Sequence, residues 1–198
     1  YNLTTTPATI QYHFKDHHHY VLSVVFHPCL LILATGLSNE SVILYDISVL
    51  PPIIKHYMRH HTDFVSCIVF HPTLPFLVTC STDNSTILYD VSTLSASSTF
   101  LKQQSPSSLT IKYRLQHHID RIYSVAFHNK LPLLATGSAD TSMILYNLTT
   151  SPPKIMTEHI IWHCNSVRSV AFHPSLPLVA TGFGAHVILH NLKKNANH

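Results

Sequence analysis

The sequence predicts an all-β fold, a β-propeller built of four-stranded antiparallel blades, with four recognisable repeats and a partial one at the N-terminus. Three observations carry this. One segment recurs four times: Val24-Val25-Phe26-His27-Pro28, Ile68-Val69-Phe70-His71-Pro72, Val125-Ala126-Phe127-His128-Asn129 and Val170-Ala171-Phe172-His173-Pro174. The anchors Phe26, Phe70, Phe127 and Phe172 recur at intervals of 44, 57 and 45 residues, close to the roughly 40–45 residues of a four-stranded blade. The apolar runs inside each copy are continuous rather than alternating, as in strands covered on both faces.

The elements follow in order from the first copy. Residues 21–26 are apolar and rich in β-formers, and Pro28 stops them because it has no N–H to give a ladder. Residues 30–35 form the next run, Gly36 to Glu40 a turn, and residues 42–46 a third run. Leu50-Pro51-Pro52 breaks the chain before a fourth run at about 53–58. No stretch has helical periodicity. The long second interval is explained by Ser92 to Thr99 and Gln103 to Ser108, polar stretches that read as an inserted surface loop, which costs little. The predicted blades are 17–60, 61–117 with a Ser-rich loop at 92–108, 118–162 and an incomplete 163–198, preceded by the end of another blade at 1–16.

Tyr1-Asn2-Leu3-Thr4-Thr5 echoes Tyr146-Asn147-Leu148-Thr149-Thr150. The chain is therefore expected to start at the end of a third strand, with residues 9–15 as that blade's outer strand, and to belong to a longer protein. The alternative is a small closed ring in which residues 9–15 pair with strand 187–191.

Composition narrows the function classes. With 45% hydrophobic and 11% charged residues, the chain has the means to build a core and is not a disordered segment. No apolar stretch approaches the roughly 18 residues that cross a bilayer as a helix. A net charge of +3 is too small to imply a nucleic-acid partner. Cys29, Cys67, Cys80 and Cys164 fall at unrelated repeat positions and form no CxxC pair, which points to free thiols in a reducing, cytoplasmic compartment. No Gly-rich phosphate loop, G-x-S-x-G elbow or H-E-x-x-H motif occurs, so neither catalysis nor a cofactor is expected.

The copy His118 to Phe127, continued by Leu134-Ala135-Thr136-Gly137-Ser138-Ala139-Asp140 and Leu145-Tyr146-Asn147, resembles the WD-repeat (WD40) β-propeller family. The resemblance implies a hydrogen-bonded tetrad in each blade: a His before the first strand, a Thr on the second, an Asp in the turn and an aromatic residue on the third. The corresponding residues are His17, Thr35, Asn39 and Tyr45; His61, Thr79, Asp83 and Tyr89; and His118, Thr136, Asp140 and Tyr146. The fourth copy offers His163 and Thr181, a shorter turn without Asp, and His190 at the aromatic position. Trp, usual in the family, is Tyr in three copies.

The 18 histidines are read as structural, one tetrad member per loop with exposed neighbours, rather than as metal ligands. His27, His71, His128 and His173 precede turns and are read as surface or capping residues. The resemblance implies a non-catalytic scaffold for peptides or partner proteins on the face bearing the loops before the first strands. The candidates there are Tyr20, Asp63, Phe64, Asp120, Arg121, Tyr123, Asn165 and Arg168, of types enriched at binding hot spots. Membership of a multi-subunit complex is expected, and the alternative function is a permanent structural subunit of a large assembly.

Overall fold

The computed structural model describes residues 10–15, 17–95 and 109–192. The first sheet is β1 (Val21–Phe26), β2 (Ile32–Leu37), β3 (Val42–Asp46) and β4 (Ile53–Met58), antiparallel in that order. The second is β5 (Val65–Phe70), β6 (Phe76–Ser81), β7 (Thr86–Asp90) and β8 (Ile111–Leu115). The third is β9 (Ile122–Phe127), β10 (Leu133–Ser138), β11 (Ser142–Asn147) and β12 (Lys154–Trp162). The last sheet has three strands, β13 (Val167–Phe172), β14 (Leu178–Phe183) and β15 (His186–Asn191).

Each sheet is a meander, and register is repeated from copy to copy. Ser23 pairs with Gly36, Cys67 with Cys80, Ser124 with Gly137 and Ser169 with Gly182. The second strand begins at Ile32 rather than at residue 30, because the turn holds Leu30. The Leu30 N–H donates to His27 Nδ1 at 3.0 Å and the Leu30 carbonyl accepts from Ile32 N–H at 2.8 Å.

The sheets face one another in chain order, with the first strands β1, β5, β9 and β13 as neighbours. Their packing is the reason the runs are apolar on both sides. Ala34, Val42, Leu44 and Met58 of the first sheet meet Val65, Ile68, Phe70, Leu77, Ile87 and Tyr89 of the second. Val78, Cys80, Leu88 and Leu115 meet the third sheet through Ile122, Val125, Phe127 and Tyr146. Ala135, Met143 and Leu145 meet Val167, Val170 and Val179 of the last. Each Val, Ile or Phe so buried contributes about 1.5–3 kcal/mol relative to exposure. This all-β array of antiparallel sheets is consistent with a β-propeller.

Three expectations need correction. Residues 10–15 form no strand; Phe14 packs instead against Tyr45, with ring centroids 4.8 Å apart. The third strand expected beside them lies in residues 1–5, outside the described residues. Nor do residues 10–15 pair with strand 187–191: β15 has β14 as its sheet neighbour. Finally, the loop after β7 starts with a 3-10 turn, Ser92–Ser95, whose Leu94 is buried in the core, so this segment is not wholly polar surface. The rest of that loop, residues 96–108, lies outside the described residues.

Candidate functional site

The loop before β5, the strand β6 and the β6–β7 turn bring three of the expected residues together. His61 Nδ1 lies 2.9 Å from Asp83 Oδ2, and His61 Nε2 lies 2.7 Å from Thr79 Oγ1. A carboxylate only accepts, so in the neutral ring Nδ1–H donates to Asp83 and Nε2 accepts from the Thr79 hydroxyl. Asp83 Oδ2 also accepts the Thr62 N–H at 3.0 Å. Oδ1 accepts the Ser85 N–H at 2.9 Å and the Ser85 hydroxyl at 2.6 Å. The third sheet repeats this. His118 stands 2.8 Å from both Asp140 and Thr136, while Asp140 accepts from Ile119 N–H at 3.1 Å and from the Ser142 hydroxyl at 2.6 Å.

The sequence reading missed Ser85 and Ser142. Their signal is present as Asp-x-Ser at 83–85 and 140–142, with Asn39-Glu40-Ser41 in the first copy. Burial pushes the Asp83 carboxyl up, but the hydrogen bonds from His61, Ser85 and the Thr62 N–H outweigh it and hold Asp83 well below the usual range. Asp140 shifts the same way, with burial outweighed by His118 and Ser142.

Tyrosine joins differently from an indole. The Tyr89 hydroxyl lies 3.2 Å from Nδ1 of His60, not His61, and also reaches Thr79; burial raises its pKa to about 12. His117 tilts over Tyr146 with centroids 5.6 Å apart. His60 and His117, expected as exposed neighbours, therefore contact the third-strand aromatic.

The first and fourth copies depart from this pattern. His17 Nε2 meets Thr35 Oγ1 at 3.2 Å and the Tyr45 hydroxyl at 3.0 Å, while Asn39 Oδ1 accepts from Ser41. In the last sheet Thr181 Oγ1 pairs with His190 Nε2 at 3.1 Å. The His163 ring sits 4.3 Å from Phe183, and its buried Nε2 has no hydrogen-bond partner. The Thr that Nε2 meets in the other copies is bonded to His190 here, and the shortened turn at Gly184, φ 52°, supplies no carboxylate for Nδ1.

A Thr–His–Asp chain has the connectivity of a hydrolase triad. Here the hydroxyl of Thr79 is completely buried and His61 nearly so, leaving no room for a substrate carbonyl. The arrangement ties a loop to a sheet. Thr82 N–H donates to the Phe64 carbonyl and Ala139 N–H to that of Arg121, so the tetrads underlie the loop tips.

Those tips carry the binding candidates. Tyr20 is 82% exposed and Phe64 48%. Asp120, Arg121, Asn165 and Arg168 are exposed; Asp63 and Tyr123 are half-buried. Ile119, not singled out from sequence, is 82% exposed at the same end. Asp63, Asp120 and Asn165 each accept the N–H of the following residue, at 2.8, 2.7 and 2.7 Å, which shapes each tip alike. The Arg168 guanidinium lies over the Tyr123 ring at 4.2 Å, in cation–π geometry. Among the described residues no three His, Cys, Asp or Glu side chains are grouped to hold a metal ion.

Sequence comparison matches the WD domain, G-beta repeat family (WD40) over residues 8–46, 53–90, 109–147 and 154–190. The chain belongs to this family. It is 39% identical over 51 residues to "Probable cytosolic iron-sulfur protein assembly protein 1" of Meyerozyma guilliermondii, a match covering 25% of this chain and 13% of that protein. In fold it is similar to the computationally designed Ika4 protein, with a TM-score of 0.71, 15% identity and coverage of 91% of this chain and 96% of that one.

Proposed function

We propose that the chain is a non-catalytic scaffold that binds peptides or partner proteins through the loop tips ahead of β1, β5, β9 and β13. The observation that carries this is the set of exposed aromatic and aliphatic side chains, Tyr20, Phe64 and Ile119, standing on tips held by backbone hydrogen bonds to Ser38, Asp83 and Asp140. A rigid tip loses little entropy on binding, and aromatic and Arg side chains are the types enriched at hot spots. The Arg168–Tyr123 stack extends the surface toward the centre. The relative named as an assembly protein fits a partner-binding role. Its printed name also fits a cytosolic location, as do the four free cysteines.

The test is a chain carrying Phe64→Ala, Arg121→Ala and Arg168→Ala, compared with wild type as bait. All three side chains project from the folded sheets, so the melting temperature is expected to stay within about two degrees. Partners held by wild type should be lost. Retention of all of them overturns the proposal.

A second reading, a permanent structural subunit of a large assembly, is favoured by a different observation: apolar side chains exposed on the first and last sheets, among them Val24, Phe26, Val187 and Leu189. A native complex from which the chain cannot be separated without unfolding would support it.

A further inference from the structure

A cleft of about 230 Å³ lies between the second and third sheets, at the end of the strands opposite the loop tips. Its floor is apolar: Leu88 and Pro153 are buried, Phe76 and Leu148 half-buried. Lys112, Tyr113 and Ser151 stand at its mouth, where the Tyr113 and Ser151 hydroxyls bond to each other.

The same position between the first and second sheets is closed. Strand register makes Ile32 the counterpart of Phe76, Leu44 of Leu88 and His56 of Tyr113. Tyr89 pairs with Ile111 as Tyr146 pairs with Ile155, so Leu109 is the counterpart of Pro153 and Val91 of Leu148. The loops after β7 and β11 start alike: Asp90 accepts the Ser92 N–H and Asn147 the Thr149 N–H, each at 2.9 Å. They then diverge. The Leu94 N–H donates to the Val91 carbonyl at 3.0 Å, and Leu94 turns into the junction, 3% exposed, in one cluster with Ile32, Leu44 and Leu109. In the other loop the Thr150 hydroxyl donates to the Pro152 carbonyl at 2.9 Å, and the counterpart of Leu94 is Ser151, which is exposed. The first junction thus shows what fills this position: a leucine side chain. The second has the socket without the leucine.

We infer that the cleft takes a leucine-type side chain from a partner peptide that carries a carboxylate beside it. The volume suits one or two side chains, and falls short of the roughly 300–1,000 Å³ of small-molecule sites. Charge selects the flanking residue. Lys112 Nζ lies 4.8 Å from the centroid of the Phe76 ring, and Lys154, next to Pro153, is exposed. Among the described residues the carboxylate near Lys112 is Asp90, 3.9 Å from Nζ and already accepting the Ser92 N–H. Two lysines against one carboxylate favour an acidic partner. A second copy of this chain, at net charge +3, is a poorer match. The site is separate from the loop tips, so the scaffold holds a peptide here and a partner there at the same time.

A fluorescein-labelled Glu-Leu-Glu-Leu-Glu peptide, titrated into the full chain and followed by anisotropy, tests this. It should bind wild type about tenfold or more tightly than Glu-Ala-Glu-Ala-Glu or Gln-Leu-Gln-Leu-Gln peptides. Ser151→Leu supplies the leucine from within the chain. It should weaken binding about tenfold or more while the urea midpoint holds or rises. Lys112→Glu changes an exposed side chain and should remove the preference for the Glu over the Gln peptide. The variant carrying Phe64→Ala, Arg121→Ala and Arg168→Ala should bind the peptide as wild type does, which separates this site from the loop tips. No binding to wild type, or binding that Ser151→Leu leaves unchanged, overturns the proposal. Loss of binding in the loop-tip variant places the peptide on the tips and has the same consequence. So does a wild-type dimer that Ser151→Leu splits, since a second copy would then be the occupant.

Discussion

The His71 ring packs edge-on against Phe127 of the next sheet, centroids 4.7 Å apart, while its Nδ1 accepts the Thr73 N–H at 3.1 Å and the Leu74 N–H at 2.8 Å. One side chain thus closes the turn after its own strand and covers the anchor phenylalanine of the neighbouring sheet. His128 does the same toward Phe172, with the Lys130 and Leu131 N–H groups as its donors and the Leu176 carbonyl 3.2 Å from its Nε2. The expectation of a capping role fits this geometry; a surface position fails for these two buried rings, while His173 is exposed. The His-Pro signature therefore joins sheets as well as ending strands.

This arrangement makes stability depend on pH. Protonating Nδ1 of His71 would remove the acceptor that two N–H groups use, and burial lowers the His71 pKa from 6.5 to about 4. The folded state then binds fewer protons than the unfolded one between these values, so stability rises with pH across that window. It is complete above about pH 6.5 and is lost as pH falls toward about 4. Other histidines shift the same way, so the diagnostic is a difference. The urea midpoint of His71→Asn should fall less steeply between pH 7 and pH 4.5 than that of wild type, and equal slopes would sink the argument.

The buried tetrads predict unequal costs for similar deletions. Asp83→Ala removes the acceptor shared by the His61 Nδ1–H, the Ser85 hydroxyl and the exposed Thr62 N–H, although His61 Nδ1 and Ser85 Oγ remain 3.2 Å apart. Losing a charged acceptor of buried donors costs about 1–3 kcal/mol. Among the described residues Asn39→Ala removes the contacts with Ser41, and it should cost less. Acid adds a second check. Folded Asp83 and Asp140 titrate below their unfolded values, so their contribution is present above about pH 4 and lost as pH falls further. Asp83→Asn with Asp140→Asn should flatten the stability profile in that acid range, as read by urea denaturation.

Much of this was legible in the chain because it repeats. The Phe-His-Pro anchors, the Thr ending each second run and Asp83 and Asp140 after it are local patterns, and the strands fall where those patterns put them. Ser85 was not legible as a partner, since a Ser in a turn has many local uses and only three-dimensional placement shows it against Asp83. The edge-on contact of His71 with Phe127 involves another sheet, so no window of sequence contains it. The fourth copy's shorter turn without Asp was legible as well, but not that Thr181 would pair with His190 instead of His163. Residues 10–15 carry a strand-like pattern and form no strand.

Gly137 is required by the close approach of the next sheet. A methyl there would lie 2.7 Å from Val167 Cγ1, 3.0 Å from Val170 Cγ1 and 3.2 Å from the Val167 carbonyl oxygen. Overpacking of this kind costs about 1–3 kcal/mol. Gly137→Ala should lower the denaturation midpoint accordingly, and the same substitution should cost less in a Val167→Ala background, where the nearest atom is gone. If it costs as much there as in wild type, the steric explanation fails.

Thr141 holds a left-handed conformation, φ 72°, in the turn where Asn84 and Glu40 adopt φ 66° and 71°. A β-branched side chain is poorly suited to this region, at a cost of about 1–2 kcal/mol, while Asn tolerates it. What the turn uses from Thr141 is its carbonyl, which accepts the His163 N–H at 2.9 Å. Thr141→Asn keeps that carbonyl and the neighbouring Asp140 and Ser142 contacts. It should therefore stabilise the chain by about 0.5–1 kcal/mol, read as a higher urea midpoint with an unchanged slope. Asn84→Thr in the second sheet should shift the midpoint by a similar amount in the opposite direction. If both substitutions move it the same way, backbone strain at this turn position is not the cause.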